Sequence, residues 1–369
     1  MITRIEIDNI NTTSNVDLSL SKAKYKYLEE YVLVGKVSNP IAIYGKNGSG
    51  KSSFLSAIDS LVKLLNGSQD QLRPFQFNYA NLKKKKNDLE TATAAYIKLY
   101  FDIEADEFEY YVSTNYDSIT EEYLSLNGVE IFHRDVAEYT FEGLSCANSK
   151  SFYPVLRKLA NDESNFDGAV SRAYRYLAGI ASVAADRTGY TARVLNNMNS
   201  LDVMVEKSGE VKKTLSEYKA FPLYDISSYV EENGEKKYRV SVQTENGKTV
   251  VIPFNMASTG MKNQSFLLSV LLSLPEGGVM VIDEIEAGLH PLTIMDFIRA
   301  ANKKKIQLIF SSHNTSVLSK LRPDNIVFTH WKNGYSSYRR LSDIYPNIRE
   351  VNNIEKMYLS ATFDEAIEG

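Results

Sequence analysis

One glycine-rich octapeptide near the N-terminus restricts the fold of this 369-residue chain more than any other feature. It follows the phosphate-loop pattern G-x-x-x-x-G-K-[ST]. Its residues are Gly45, Lys46, Asn47, Gly48, Ser49, Gly50, Lys51 and Ser52. The apolar run before it, Pro40–Tyr44, predicts a short buried strand, and apolar residues at helical spacing from Phe54 to Leu65 predict a helix after it. A glycine turn without a ligand is the alternative, and the flanking strand and helix argue against it.

The loop has the chemistry that a nucleoside triphosphate requires. Glycines let backbone N–H groups turn toward the phosphates, and the N-terminus of the following helix favours negative charge. Lys51 is expected to reach the β and γ oxygens, and Ser52 to ligate Mg²⁺. With the neighbouring Ser53, the residues Gly45–Ser52 form the predicted binding set for ATP.

A second feature is the apolar run Val279–Ile282, which ends in Asp283 and Glu284. It is typical of a buried parallel strand whose C-terminal end lies at the ligand-binding edge of a sheet. Asp283 is placed to hold Mg²⁺ through water, and Glu284 to polarise the attacking water as general base. Alone, such a run fits an ordinary strand end equally well. Together with a phosphate loop it indicates ATP hydrolysis.

The composition excludes several classes of protein. With 42 basic and 46 acidic residues the net charge is -4, which gives no overall attraction to nucleic acid or anionic membrane. The single cysteine, Cys146, excludes an internal disulfide and fits a reducing cytosol. No apolar stretch approaches the roughly 20 residues that cross a bilayer. The basic runs Lys83–Lys86 and Lys303–Lys305 fit either nucleic-acid contact or a solvated surface. We expect a cytoplasmic protein without a membrane partner.

The order of the patterns predicts an α/β fold in three regions. Residues 1–125 hold the phosphate loop and a small antiparallel β-lobe, which begins with the alternating segment Thr93–Ile103. Residues 126–235 show helical spacing and are predicted to form a mainly helical insertion. Residues 236–369 return to sheet through a hairpin at Asn246-Gly247 and then alternate strand and helix.

The segment Ser258–Lys262 resembles a degenerate signature motif of ABC ATPases, of the form S-x-G-x-K, and it precedes an apolar helix. The resemblance implies that Ser258, Gly260 and Lys262 face the γ-phosphate of ATP held by a partner subunit. An ordinary helix cap formed by Ser258 or Thr259 is the alternative.

Three further positions resemble functional residues of ABC ATPases. His313, in the segment Ser311–Asn314, resembles the switch histidine that contacts the γ-phosphate and orients water, although a hydrogen-bonded loop histidine is the alternative. Glu286–Pro291 occupies the place of the D-loop, with His290 where many ABC proteins have aspartate. Gln76 is the candidate for the Q-loop glutamine.

The combination of Asp283–Pro291 with Ser311–Thr315 resembles the ABC-type, SMC-like ATPases of the overcoming-lysogenization-defect group and related abortive-infection ATPases. The resemblance covers about residues 1–115 and 250–340. It implies a phosphate-loop NTPase of ABC ATPase-head type that uses ATP and Mg²⁺. It also implies a homodimer in which the phosphate loop of one subunit and Ser258–Lys262 of the other enclose each nucleotide.

The same resemblance implies a role in bacterial defence or DNA repair. No acidic cluster typical of a TOPRIM nuclease follows the last predicted strands, so we expect a regulatory or sensing ATPase that acts with a separate nuclease or toxin. A DNA-repair or chromosome-associated ATPase and the motor subunit of a transporter are the alternatives. The segments Ala185–Tyr190 and Asn353–Leu359 also resemble parts of this group, and Arg187 in the first could face nucleotide, a partner or solvent.

Overall fold

The structure is a computed structural model, and the residues that it describes are 1–29, 32–33, 36–67, 75–77, 94–148, 150–162, 168–186, 189–193, 200–218, 224–243 and 246–363. The strands of this part are β1 Ile2–Asp8, β2 Val16–Ser19, β3 Val32–Leu33, β4 Val37–Ser38, β5 Ile41–Gly45, β6 Ala95–Ile103, β7 Asp106–Thr114, β8 Ile119–Leu126, β9 Val129–Arg134, β10 Glu138–Phe141, β11 Leu144–Ala147, β12 Ala181–Asp186, β13 Gly189–Arg193, β14 Tyr224–Val230, β15 Lys236–Gln243, β16 Thr249–Pro253, β17 Val279–Asp283, β18 Gln307–Ser311, β19 Ile326–Lys332 and β20 Tyr335–Arg340.

The α-helices are α1 Lys51–Asn66, α2 Val155–Ala160, α3 Ala169–Ala178, α4 Ser200–Glu206, α5 Ser208–Glu217, α6 Thr259–Ser273, α7 Pro291–Lys303, α8 Leu341–Ile344 and α9 Ile354–Leu359. Short 3₁₀ helices are Phe254–Met256, Thr315–Lys320 and Pro323–Asn325. Within the described ranges, no helix is long and apolar enough to span a membrane.

A seven-stranded sheet forms the centre of the molecule, in the order β13-β12-β17-β18-β5-β19-β20. The strands β12, β17, β18, β5 and β19 run parallel, and the edge strands β13 and β20 are antiparallel to their neighbours. Side chains of β5 point alternately to two cores: Ile41 and Ile43 pack with α1, whereas Ala42 and Tyr44 pack with α6 and α7. Because both faces are covered, the central strands are almost continuously apolar.

The predicted antiparallel β-lobe is an eight-stranded sheet in the order β11-β10-β9-β8-β7-β6-β1-β2. Its inward residues share one core with α1, whose buried face includes Phe54, Ile58 and Leu61. This sheet therefore fixes the helix that follows the phosphate loop. The α/β fold class with a phosphate-loop head and an antiparallel lobe is confirmed.

The prediction of a mainly helical insertion over residues 126–235 needs correction. The described part of this region contains α2–α5, but it also contains β9–β14. The strands β9–β11 extend the lobe, and β12 pairs in parallel with β17 of the central sheet. Short apolar runs such as Ile180–Val183 fit helix or strand equally well, and pairing with a distant strand decides between them.

Candidate active site

The carboxyl ends of three neighbouring parallel strands meet at one edge of the central sheet. Strand β5 leads into the phosphate loop, β17 ends in Asp283 followed by Glu284, and β18, between them, ends in Ser311 two residues before His313. Ligands bind at this edge in open α/β sheets. The structure thus brings the phosphate loop, the two carboxylates and the histidine to one place.

The phosphate loop has a conformation that requires glycine. Gly48 has φ 75° and Gly50, at the N-cap of α1, has φ 107°, a region that L side chains rarely adopt. A Cβ added to Gly50 would collide with the side chain of Ser336. The Tyr338 hydroxyl also donates to the Gly50 carbonyl over 2.7 Å. The C-terminal end of the loop, at Gly50, therefore packs against Ser336 and Tyr338 of β20.

The same loop is tied to β19 on its other side. The hydroxyls of Ser49 and Thr329 lie 2.5 Å apart in the protein interior, and a Cβ on Gly45 would strike Thr329. By contrast, Lys46, Asn47 and Gly48 are exposed at the loop tip. The loop has a fixed base and an accessible tip.

Lys51 lies inside the curve of the loop. Its Nζ donates to the carbonyls of Gly45 at 2.9 Å and Lys46 at 3.2 Å, and the residue is only 5% exposed. Desolvation lowers the pKa of this ammonium, and the negative charges of Asp283 and Glu286 oppose that shift. A buried cation that donates to backbone carbonyl oxygens is well placed to exchange them for phosphate oxygens.

Asp283 lies beside the phosphate loop and offers carboxylate oxygens, which are suitable ligands for Mg²⁺. Its Oδ1 accepts from Ser52 Oγ at 3.1 Å and from Ser311 Oγ at 2.5 Å. No group of three or more His, Cys, Asp or Glu side chains in the described ranges could hold a metal ion by itself. One carboxylate and one hydroxyl next to a phosphate loop fit Mg²⁺, which is usually bound by few side chains, substrate phosphates and water.

The backbone of Glu284 is held at both polar groups. Its N–H donates to Ser311 Oγ at 2.8 Å, and its carbonyl accepts from the Tyr190 hydroxyl at 2.8 Å. The residue has φ 56°, a backbone conformation that costs free energy for any residue other than glycine. Its own side chain is exposed. These contacts fix the backbone of Glu284 directly after Asp283, at the carboxyl end of β17.

His313 lies beside this turn with an exposed side chain. Its backbone N–H donates to Glu286 Oε1 over 2.6 Å. The next residue is anchored to β5, because Tyr44 donates its hydroxyl to the Asn314 carbonyl at 3.0 Å. The segment that carries His313 is therefore fixed by contacts to both β5 and the Asp283-Glu284 turn.

The signature-like segment begins α6. Ser258 is the N-cap, and its Oγ accepts the Met261 N–H at 3.3 Å, which is the ordinary helix-cap contact. Lys262 Nζ donates to the Asn255 carbonyl at 2.6 Å. Ser258 is exposed and Gly260 half-buried. A contact to the γ-phosphate of a partner's nucleotide remains a prediction for this segment.

The start of α6 packs on the loop that follows Glu284. Asn263 Nδ2 donates to the Ala287 carbonyl over 2.7 Å, and a Cβ on Gly260 would come within 2.8 Å of the Gly288 carbonyl. In the same loop, His290 caps α7 by accepting the Leu292 N–H at 3.3 Å. This gives His290 a local structural role at the position of the D-loop aspartate.

Gln76 lies near the N-terminal half of α1. Its carbonyl accepts the Asn11 N–H at 2.6 Å, and Asn11 Nδ2 donates to Ser56 Oγ at 2.5 Å. The adjacent Thr12 donates to Ser53 Oγ at 2.9 Å. The Gln76 side chain is exposed, and its assignment as the Q-loop glutamine stays a prediction.

The remaining predicted positions are Arg187 and the two basic runs. Arg187 and Lys83–Lys86 lie outside the described residues. In the second basic run, Lys303 pairs with Glu217 at 2.6 Å, Lys305 pairs with Glu276, and Lys304 donates to the Leu272 carbonyl at 2.7 Å. These intrachain contacts support the interpretation of this run as an ordinary surface.

A pocket of about 510 Å³ adjoins the phosphate loop. It is lined by Gly45–Ser49, by the end of β19 including Trp331, and by Tyr358 and Leu359 of α9. Trp331 is the single tryptophan of the chain, and it is 51% exposed. It is therefore a natural reporter beside the loop.

Sequence reasoning missed three residues that shape this site. Ser311 and Glu286 lie inside segments that the sequence analysis had singled out. The position of Ser311 at the end of the strand before His313 could have indicated that it lies at the site. Tyr190 ends the segment Ala185–Tyr190, which was also singled out, but it lies in the β12–β13 hairpin, inside the region predicted to be mainly helical. Its role depends on the pairing of β12 with β17, which no local pattern indicates.

A family profile described as "AAA domain, putative AbiEii toxin, Type IV TA system" matches residues 186–319. The chain is similar to a solved SMC head bound to the C-winged helix domain of ScpA, with 14% identity over 93% of this chain and 99% of that one, and a TM-score of 0.49. It is similar to the SMC head domain from Thermotoga maritima, with 15% identity over 92% of this chain and 98% of that one, and a TM-score of 0.47. It is also similar to an ATP-binding subunit of an ABC transporter, with 14% identity over 98% of this chain and 100% of that one, and a TM-score of 0.38. No curated protein sequence matches the chain.

The matched range 186–319 contains Ser258–Lys262, Asp283, Glu284 and His313. The phosphate loop lies outside that range, and the strand order places it next to these residues. The profile match covers only part of the chain, and the strand order brings its motifs together with the phosphate loop: the chain has an α/β phosphate-loop fold, and its residues 186–319 are similar to the matching AAA profile.

Proposed function

We propose that this chain binds Mg-ATP at the edge formed by β5, β18 and β17 and hydrolyses it to ADP and phosphate. The observation that supports this most strongly is the meeting of Ser52 and Ser311 on one oxygen of Asp283, at 3.1 and 2.5 Å. This cluster lies next to a loop whose lysine is buried. The oxygens of Ser52 and Asp283 suit a Mg²⁺ ion, and the loop with its buried lysine suits a triphosphate.

Each side chain then has one task in hydrolysis. Lys51 neutralises the β and γ oxygens, and Ser52 and Asp283 hold Mg²⁺. When bound there, Mg²⁺ would supply positive charge next to the phosphate oxygens. Glu284 takes a proton from the attacking water as general base. His313 contacts the γ-phosphate and orients that water.

The active form in this proposal is a homodimer. The phosphate loop of one protomer faces the Ser258–Lys262 segment of a second copy, so ATP closes the dimer and hydrolysis permits release. The exposed helix start at Ser258 supports this arrangement, because backbone N–H groups and the helix dipole there favour a phosphate.

For the biological role, we propose a regulatory or sensing ATPase of a bacterial anti-phage defence system that acts with a separate effector, such as a nuclease or toxin. The description of the matching family, which names an AbiEii toxin and a type IV toxin–antitoxin system, supports this role. A DNA-repair or chromosome-associated SMC-like ATPase is the alternative.

The test is the identity of the chains that co-purify from the native host with Glu284→Gln protein in the presence of ATP. The matched control is Lys51→Ala/Glu284→Gln, which should not retain ATP. A stoichiometric nuclease or toxin bound to the first protein and absent from the second would support the defence role. A bare dimer on DNA would favour the repair role, and a membrane permease would contradict both.

A further inference from the structure

Glu286 has an unusual place in the loop after Glu284. Its Oε1 accepts the backbone N–H of His313 at 2.6 Å. Its Oε2 is shielded from solvent and has no hydrogen-bond partner among the described residues. A shielded carboxylate oxygen without a partner costs free energy.

The charge of Glu286 acts on groups at the active site. After desolvation, which lowers the pKa of Lys51, the carboxylates of Asp283 and Glu286 are the largest opposing influences on that group. Burial raises the pKa of Tyr190, and the charge of Glu286 raises it further. Glu286 is thus within electrostatic reach of both the phosphate loop and the Tyr190–Glu284 contact.

The loop that contains Glu286 also joins two other parts of the site. Glu284 contacts β18 through its N–H to Ser311 at 2.8 Å. Ala287 accepts from Asn263 of α6 at 2.7 Å. Glu286 lies between these two anchors, and its carboxylate adds the third contact, to the segment that carries His313.

We propose that Glu286 is a positioning residue for hydrolysis: its bond to the His313 N–H holds the histidine segment in place over the phosphate site. The inference rests on the proposed ATPase function. In this view the carboxylate acts through His313 and does not touch the nucleotide. The alternative is a carboxylate that only stabilises the fold, and its removal would lower activity independently of His313.

A double-mutant cycle separates these two roles, because residues that act through one another are not additive. The variants are Glu286→Ala, His313→Ala and the double variant, with steady-state ATP hydrolysis as the readout. We expect Glu286→Ala to lower kcat by about tenfold or more with KM within about threefold. In the His313→Ala background the same change should alter kcat by less than about twofold. An equal loss in both backgrounds would overturn the proposal.

Glu286→Gln is the conservative variant, because its amide oxygen can still accept the His313 N–H. Its kcat should stay within about threefold of the parent protein. A loss as large as that of Glu286→Ala would contradict a role that depends on this hydrogen bond. Thermal unfolding of each variant identifies any loss of activity that comes from loss of fold.

Amide hydrogen exchange of the peptide around His313, measured without nucleotide, tests the contact itself. Exchange should accelerate in Glu286→Ala and stay slow in Glu286→Gln, and unchanged exchange in both would overturn the proposal. An inactive parent protein with Mg-ATP would contradict the ATPase function and this role together. An active parent protein with additive losses would contradict only the role of Glu286.

Discussion

The hydroxyl of Ser311 donates to Asp283 Oδ1 over 2.5 Å and accepts the backbone N–H of Glu284 at 2.8 Å. One buried side chain at the end of β18 therefore orients the candidate magnesium ligand and the candidate general base at the same time. Because β18 pairs with both β5 and β17, the sheet itself sets the spacing between the phosphate loop and the two carboxylates.

Ser311→Ala should raise the Mg²⁺ concentration needed for half-maximal ATP hydrolysis, because Asp283 loses the donor that orients it. We expect a kcat reduction of about tenfold, since Glu284 loses its backbone anchor as well. The measurement is ATPase rate against Mg²⁺ concentration. Ser269→Ala is the control, because the Ser269 hydroxyl is also buried but bonds the Phe266 carbonyl of its own helix. The same Mg²⁺ dependence in both variants would contradict this account of Ser311.

Tyr190→Phe should lower kcat several-fold, because the Glu284 carbonyl loses the 2.8 Å hydrogen bond that holds it. The loss of this bond should also cost about 1 kcal/mol of unfolding free energy. Tyr224→Phe is a matched control, since the Tyr224 hydroxyl is buried and lies 2.9 Å from Ser265 Oγ. Urea unfolding should show similar losses for both variants, and ATPase assays a loss for Tyr190→Phe alone. Full activity of Tyr190→Phe would argue against a role in positioning Glu284.

Gly50→Ala should disrupt the phosphate loop more than Gly48→Ala. Both positions have positive φ, which costs about 1 kcal/mol or more for alanine. Only at Gly50 would the new methyl group also collide with Ser336, because the space around Gly48 is open. ATP affinity and unfolding free energy of the two variants measure the difference. Equal effects would show that contact with β20 does not determine the loop conformation.

ATP binding should change the fluorescence of Trp331. This residue is the single tryptophan and lines the pocket beside Gly45–Ser49, so its emission reports on that environment alone. Titration of the parent protein with Mg-ATP should give a saturable change. Lys51→Ala should abolish it, because removal of the lysine removes nucleotide binding. An equal change in Lys51→Ala would place the bound nucleotide elsewhere.

The parts of the site that follow from local order were predictable from sequence. Gly45–Ser52 and Asp283-Glu284 each end a strand, and parallel strands bring such ends to one edge. The contact of Glu286 with the His313 backbone was not predictable, because it depends on how two loops meet. The role of Tyr190 was not predictable for a similar reason. Its hairpin joins the sheet through the pairing of β12 with β17, and short alanine-rich runs do not reveal that pairing. The helical expectation for residues 126–235 failed at the same point.

The proposed function requires that this edge binds ATP and that Glu284 acts as general base in its hydrolysis. The most direct test is the molar mass of Glu284→Gln protein by light scattering, with and without Mg-ATP, beside Lys51→Ala/Glu284→Gln. Without the base, ATP should persist and hold two protomers together. We expect a dimer only for the single variant with ATP. The same monomer fraction of that variant with and without ATP would contradict it.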